Sequence, residues 1–426
     1  MMAKTPSPAK TTGLFSRLLG GSDDREALQE AAQLALEVEF TTIPAYLSAL
    51  YSIAQPSSDA YQLLRSVVVE EMFHLNQAAN LLIGIGGLPR LTGDATPSYP
   101  TYLPKANKAT TPFIGLVEAS TNVFANVFAA IEAPAPPLAP PQPDQYDTIA
   151  QLYEALRRGL HSYRGPQLFT PNPKGRQRTD IYLGKFGGKP VAVTDMASAD
   201  FGIQQIVQQG EGHAPFGKPL DPQQKWGTYN YYGMRSDGTY GPILGTPLES
   251  THFVKFRTIA LDTANFPKTR AIVSNPKLDD FSNGEAREKA KAFDIAYSVL
   301  LKALEATFRA DPDPMFGASD PYFGVALPLM HDVMPSLALS LMSTPALENG
   351  DPDVGPYAAP TFTWRADADL KQLGQGIEAS MGLVKRSPRP VAASDRVRAT
   401  ADVQERIAEL GVLSRAADAV GRLAQT

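Results

Sequence analysis

The chain has 426 residues, of which 43% are hydrophobic, and its formal net charge is −5. This composition supplies enough apolar surface for a buried core, and no basic stripe points to a nucleic-acid partner. The sequence contains no cysteine, which excludes disulfides, zinc ribbons, iron–sulfur clusters and thiolate nucleophiles. Any metal site must therefore be built from carboxylates and histidines.

The first 22 residues are predicted to be a disordered or weakly amphipathic lead-in. Their short apolar patch, Leu14 to Leu19, falls below the roughly 7–15 apolar residues of a signal peptide. No run in the sequence approaches the ~20 apolar residues that span a bilayer, so no transmembrane segment is expected. Together with the missing cysteines, this favours a cytoplasmic protein.

Apolar residues at helical spacing, bounded by capping residues and Gly or Pro stops, predict a largely helical chain. The predicted helices cover residues 23–54, 58–84, 113–131, 147–163, 199–210, 249–264, 284–309 and 321–342. Pro44 lies inside the first helix and predicts a kink with a freed carbonyl near Phe40. The last helix is apolar nearly all round and is expected to be buried.

Two long insertions rich in Gly and Pro interrupt this pattern. Residues 164–198 include a β-like run at 190–194, and residues 212–247 carry several tyrosines; loops this long are uncommon unless they are functional. We expect one all-α domain over residues 23–364. Residues 365–426 are predicted to be a linker and an amphipathic helical tail, which could mediate homo-oligomer formation.

The strongest chemical signal lies in the second predicted helix. Glu71 and His74 are three residues apart, so their side chains project from one face of the helix, and that face is otherwise apolar. A carboxylate buried on such a face is costly unless it is paired or bound to a metal. The alternative is an exposed glutamate beside a core histidine.

The same spacing recurs in Glu249 and His252, on a different predicted helix. Four-helix dimetal proteins take a Glu-x-x-His pair from each of two helices and a single Glu from each of the other two. Two such pairs in a chain with only five histidines therefore favour a dimetal centre.

This pattern requires two further single glutamates on apolar helix faces. Glu39 fits the first position, and Glu211, at the end of the helix over residues 199–210, is our choice for the second. Glu132 and Glu154 are alternatives for that second position. The predicted metal ligands are thus Glu39, Glu71, His74, Glu211, Glu249 and His252.

The predicted ligand set also indicates which metal it would bind. Carboxylate-rich sites with one imidazole per ion suit iron or manganese, and the absence of thiolate argues against structural zinc. We expect two iron ions, with manganese as the alternative. Because iron can supply the redox chemistry of oxygen activation, the expected partners are O2 and a small organic substrate.

Four sequence segments carry a resemblance to a known family. They are EFTTIPAYLSALYSI from Glu39, VVEEMFHLNQAANLLIGIGGLPRL from Val68, IVQQGEG from Ile206 and ESTHFVKF from Glu249. They resemble the ferritin-like domain of iminophenyl-pyruvate dimer synthases, enzymes of violacein- and rebeccamycin-type pathways that couple imines of aromatic 2-oxo acids. The resemblance covers about residues 26–364 and implies a ferritin-like four-helix bundle. The ligands that it implies are Glu39, Glu71, His74 and His252.

The function favoured by these observations is that of a di-iron oxidoreductase, an oxidase or oxygenase of secondary metabolism. Its substrate would be a small molecule of the aromatic imine or amino-acid-derived kind. One alternative is an iron-handling ferroxidase, although the long insertions speak against a short cage-forming bundle. The other is a non-catalytic ferritin-like protein that binds or scaffolds a partner.

Overall fold

The computed structural model describes residues 13–20, 23–134, 144–171, 173–181, 188–211, 251–309 and 320–384. Within these ranges the chain is helical, and its only β-type pairings are isolated bridges. The helices are α1 (Leu14–Leu19), α2 (Arg25–Ser52), α3 (Asp59–Gly84), α4 (Thr121–Ile131), α5 (Ile149–Ser162), α6 (Met196–Gln209), α7 (His252–Leu261), α8 (Gly284–Arg309), α9 (Tyr322–Leu341) and α10 (Leu370–Val384), with short 3-10 turns at Gly93–Ala95 and Leu278–Asp280. The predicted all-α fold is therefore confirmed.

The helices α2 and α3 pack along each other as the central hairpin. Each begins at a side-chain cap, because Asp24 accepts a hydrogen bond from Ala27 N and Ser58 accepts one from Tyr61 N. The helix α2 continues through Pro44, and every residue from 38 to 52 is buried. Packing on all sides thus holds the helix together across the hydrogen bond that the proline cannot donate.

Four further helices surround this hairpin. The helix α5 packs against α2, while α6 and α7 pack against α3. The helix α7 also contacts the middle of α4, which is a π-helical stretch over Phe124–Phe128. As a result, α2, α3, α4 and α7 enclose one common interior.

The remaining helices form a second layer in which α8 packs against α9 and α10. By length and composition α9 could cross a membrane, with a mean hydropathy of 1.3, but half of it is buried inside the protein, as expected of a core helix. The described residues therefore contain no clear membrane-spanning helix. The prediction that α9 is buried holds for about half of the helix, since Phe323 and Leu339 are 39% and 41% exposed.

Two predicted elements differ in the structure for local reasons. The helix predicted from residue 113 begins only at Thr121, where Ser120 caps it, because the preceding chain is extended and Ile114 forms a bridge with Thr101. The β-like run at 190–194 is extended without a partner strand. The side-chain amide of Gln77, on α3, instead bonds to its backbone.

Parts of the lead-in and of the tail lie within the described residues. The side chains of Leu14, Phe15 and Leu18 in α1 are buried, and α1 packs against α2 and α5. The helix α10 lies within the predicted tail region and packs against α8. The insertion at 212–247 and the amphipathic helix predicted beyond residue 395 lie outside the described residues, so those expectations stay predictions.

Candidate metal centre

Five acidic or histidine side chains from four helices converge in the interior of the bundle. Glu39 comes from α2, Glu71 and His74 from α3, Glu132 from the residue after α4, and His252 from the first turn of α7. None of the five is more than 2% exposed. Because buried ionisable groups are rare unless they are paired or bind a metal, this cluster is the candidate functional site.

The two imidazoles stack on each other, with ring centroids 5.2 Å apart, and both turn Nδ1 toward the carboxylates. The Nδ1 atom of His252 lies 2.8 Å from Glu71 Oε1 and 3.7 Å from Glu132 Oε2. The Nδ1 atom of His74 lies 3.4 Å from Glu39 Oε2 and 3.9 Å from Glu71 Oε1. Glu71 Oε1 therefore lies between the two rings, and ligand atoms of Glu71, His74 and His252 lie within 4.8 Å of one another.

Each of the three carboxylates accepts a hydrogen bond from a hydroxyl group on its other oxygen. The pairs are Tyr153 with Glu39 at 2.6 Å, Tyr46 with Glu132 at 2.7 Å and Thr42 with Glu71 at 2.8 Å. These hydroxyls fix the orientation of the carboxylates, so that the remaining oxygen of each faces the imidazole nitrogens.

The outer ring nitrogens have different partners. The Nε2 atom of His252 lies 2.8 Å from Glu70 Oε2, and the same oxygen accepts a hydrogen bond from Lys255 Nζ at 2.6 Å. The Nε2 atom of His74 lies 2.9 Å from Gln209 Oε1. When Nε2 is the donor in both rings, each Nδ1 presents a lone pair to the cluster, as metal-ligating histidines do.

The pKa shifts show that the cluster attracts positive charge. Burial alone would lower the pKa of His252, but the carboxylates of Glu132, Glu70 and Glu71 raise it well above its ordinary value. Burial and the negative charge of Glu132 raise the pKa of Glu71 to about 7, against the opposing effect of His252. Burial also acts to raise the pKa of Glu70, but Lys255 and His252 outweigh it and lower that pKa.

The donor set of the cluster fits a metal site. Among the described residues, His252 Nδ1 has no hydrogen-bond partner, although Glu71 Oε1 is only 2.8 Å away. A nitrogen and an oxygen that approach this closely without hydrogen-bond geometry are arranged like two ligands of one cation. Carboxylates with one imidazole per position are a donor set that suits iron or manganese.

Four of the predicted ligands, Glu39, Glu71, His74 and His252, thus lie together. Glu211 is also buried, but its Oε1 accepts a hydrogen bond from Ala150 N, 2.7 Å away at the start of α5. In the structure it is Glu132, one of the two alternatives, whose carboxylate lies beside His252. The packing of α4 against α7 brings Glu132 there.

The other two candidates lie elsewhere. Glu154 is on the surface of α5, where its carboxylate pairs with Arg157 and Arg158. Glu249 lies outside the described residues, and α7 begins at His252, capped by the side chain of Thr251, rather than at residue 249.

Three residues of the site were missed in the sequence. Glu70 and Gln209 hold the outer nitrogens of the two imidazoles, and Lys255 holds Glu70. A signal for Lys255 was present, because it stands three residues after His252 in an otherwise apolar stretch of α7. Glu70 could have been assigned a buried role only from knowledge of which helix packs on that side of α3.

Comparison with known proteins accords with this architecture. Residues 32–235 match the sequence model of a family described as ferritin-like. The chain has a ferritin-like fold. Its helices align with the crystal structure of a ferritin-like protein from Caulobacter vibrioides, with a TM-score of 0.51 and 22% identity, over 79% of this chain and 97% of that chain. At this identity the likeness concerns the ferritin-like fold alone. No curated protein matches the sequence.

Proposed function

We propose that the ferritin-like domain holds two iron ions and that the protein is an oxidase or oxygenase acting on a small organic substrate. The observation that carries this proposal is the convergence of three carboxylate oxygens and two imidazole nitrogens in a buried interior. Glu71 would be shared by two positions, one completed by Glu39 and His74 and the other by Glu132 and His252. Manganese is the second ion that these donors suit.

Two glutamates from the sequence prediction have different places in this proposal. Glu132 takes the position first assigned to Glu211, whose Oε1 accepts a hydrogen bond from Ala150 N. Glu249, which lies outside the described residues, is proposed as a further ligand beside His252 because the Glu-x-x-His pattern of dimetal proteins recurs there in the sequence.

The chain's own groups have definable tasks at such a centre. Paired ferrous ions would supply the electrons for the reduction of O2. The hydroxyls of Tyr153, Tyr46 and Thr42 orient the carboxylates, and the partners of Nε2 hold both imidazoles with Nδ1 inward. The surrounding apolar side chains exclude water, which strengthens every electrostatic interaction inside.

The substrate class rests on the sequence resemblance to iminophenyl-pyruvate dimer synthases. That resemblance suggests an aromatic imine or another amino-acid-derived compound of secondary metabolism. A direct check is oxygen consumption by the ferrous-loaded protein, measured with and without an aromatic 2-oxo acid imine generated in the assay. Oxygen uptake that does not depend on any organic compound would favour a ferroxidase instead.

Metal quantification tests the centre itself. Protein purified without chelator should contain close to two iron or manganese ions per chain. Glu71→Ala and His74→Ala should each lose metal while keeping the helical circular dichroism of the native chain. Glu154→Ala, a glutamate on the exposed pair with Arg157 and Arg158, is the matched control and should retain full metal content.

Two results would contradict the proposal. Full metal content in both Glu71→Ala and His74→Ala would show that the ions bind elsewhere. A native chain that contains no metal after purification, and whose melting temperature does not change when ferrous or manganous ions are added, would instead support the scaffold alternative.

A further inference from the structure

The outer nitrogens, Nε2, of the two imidazoles have different partners. His252 Nε2 is 2.8 Å from a carboxylate oxygen of Glu70, whereas His74 Nε2 is 2.9 Å from the amide oxygen of Gln209. Glu70 and Gln209 are both 0% exposed, so solvent screens neither contact. One imidazole therefore has a carboxylate beside its outer nitrogen, and the other has a neutral amide.

A buried cation accompanies the anionic partner. Lys255 Nζ lies 2.6 Å from Glu70 Oε2, the same oxygen that faces His252, and Lys255 is also 0% exposed. The ammonium group of Lys255 thus pairs with the carboxylate of Glu70 in the interior.

An anionic partner makes an imidazole a stronger ligand. A carboxylate that accepts the outer N–H of a metal-bound histidine raises the basicity of the inner nitrogen, and loss of such a partner typically costs about 10–100-fold in metal affinity. A neutral amide fixes the ring and its tautomer but adds less electron density. The inner nitrogens of His252 and His74 should therefore differ in strength as ligands.

We propose that the two metal positions are unequal, with the position at His252 binding its ion more tightly and filling first because Glu70 supports that histidine. In this proposal Glu70 and Gln209 are positioning residues, and Lys255 is the ion-pair partner of Glu70. The inference rests on the proposed dimetal centre and adds to it an order of metal loading.

The test is a calorimetric titration of the metal-free full-length protein with Mn²⁺. The native chain should bind two ions in two resolved steps. Glu70→Gln should weaken the tighter step by about 10–100-fold and leave the weaker step nearly unchanged. The substitution is conservative, because the amide oxygen of glutamine can still accept hydrogen bonds from both His252 and Lys255.

The reciprocal substitution gives the opposite expectation. Gln209→Glu places a carboxylate behind His74 and should tighten the weaker step, so that the two affinities approach each other. Its control is Gln205→Glu, one turn earlier on α6, where a buried amide bonds to the backbone of Lys189 and not to the centre. That control should leave both steps unchanged.

Two further variants separate charge from structure. Glu70→Gln combined with Lys255→Met removes both members of the ion pair, and should weaken the tighter step as Glu70→Gln does. Glu305→Gln makes the same chemical change at a carboxylate that caps the backbone of Leu91 and Thr92, and should change neither step. Circular dichroism checks that each variant is folded.

The outcomes distinguish this inference from the function on which it rests. Two Mn²⁺ ions bound with steps that do not respond to Glu70→Gln, or that weaken equally, would overturn the inequality and leave the dimetal centre standing. A native chain that binds no Mn²⁺ and no Fe²⁺ would overturn both.

Discussion

Two regions of the molecule bury charged side chains, and they balance that charge differently. Between residues 173–181 and the start of α9, Arg176 and Arg178 pair with Asp180 and Asp320. Arg178 is 0% exposed, and its guanidinium lies 2.9 Å from Asp320 and 2.7 Å from Asp180. Two guanidinium groups pair with two carboxylates, so the charges of these four described residues balance.

The candidate metal centre lacks such a balance of permanent charges. Four buried carboxylates, those of Glu39, Glu70, Glu71 and Glu132, gather around two imidazoles, and Lys255 is the one described lysine or arginine that pairs with any of them. Burial of unbalanced charge is expensive. The contrast is that guanidinium groups balance the charge of the arginine cluster, whereas the candidate metal centre depends on bound protons or metal ions for its balance.

The largest effect on stability is expected when the arginine cluster loses one of its two cations. Arg178→Met would leave Asp320 with Arg176 as its remaining arginine, and removal of one partner from a buried ion pair typically costs about 3–5 kcal/mol. The free energy of unfolding, measured in urea, should fall by this amount whether or not metal is present. A loss below about 1 kcal/mol would mean that the arginine cluster contributes no more to the free energy of unfolding than an ordinary surface ion pair.

Asp294, on α8, is a buried carboxylate in a third region of the molecule. It accepts hydrogen bonds from the hydroxyl of Thr361 and from Thr363 N, and burial raises its pKa above the usual range of an aspartate, to about 7. The folded protein therefore holds a proton here at pH values where the unfolded chain has released it. This stability is fully present below about pH 4 and is lost as the pH rises through about 7.

Asp294→Asn isolates this pH dependence. The amide can keep the two hydrogen bonds but does not titrate, so native stability relative to the variant should fall by about 2–4 kcal/mol between pH 4 and pH 7. Urea unfolding of both metal-free proteins at four pH values measures the difference. A constant difference across the range would show that Asp294 stays charged in the folded protein.

The next prediction compares the stability of the protein with and without a divalent ion at the candidate metal centre. A divalent ion that binds the folded chain stabilises it by about 2.7 kcal/mol when its free concentration is 100 times the dissociation constant. Native protein should gain this stability on addition of Mn²⁺, and Glu71→Gln should lose most of the gain. Without metal, Glu71→Gln should unfold no more easily than the native chain, because it removes repulsion from Glu132.

The smallest effect is expected at the surface. Glu154 pairs with Arg157 and Arg158, whose side chains are each 43% exposed. Glu154→Gln should change the free energy of unfolding by less than about 1 kcal/mol, because solvent and salt screen exposed pairs. A larger change would mean that exposure is a poor guide to charge energetics in this chain.

The sequence predicted the central hairpin well because its signals are local. Capping residues and apolar spacing define the ends of α2 and α3, and a three-residue spacing places Glu71 and His74 on one face. Both histidines of the centre, together with Glu39 and Glu71, were predicted from such spacing.

The choice among the remaining glutamates could not be made locally. Glu132 and Glu211 both end apolar helices, and which of them meets His252 depends on how α4 and α6 pack, information that no sequence window contains. The π-helical stretch at Phe124–Phe128 also changes the direction in which side chains of the last turn of α4 project, relative to a regular α-helix. Hydrogen-bond partners such as Gln209 depend in the same way on contacts between distant segments.

The separation of Glu70 from Lys255 along the chain has a consequence for synthesis of the protein. Their contact joins residues 185 positions apart, and ribosomes add about 5–20 residues per second. The α2–α3 hairpin therefore leaves the ribosome roughly ten to thirty seconds before its lysine arrives. Until Lys255 is synthesised, the carboxylate of Glu70 lacks this ion-pair partner. The face of α3 that α7 later covers must therefore stay hydrated or be shielded by a chaperone.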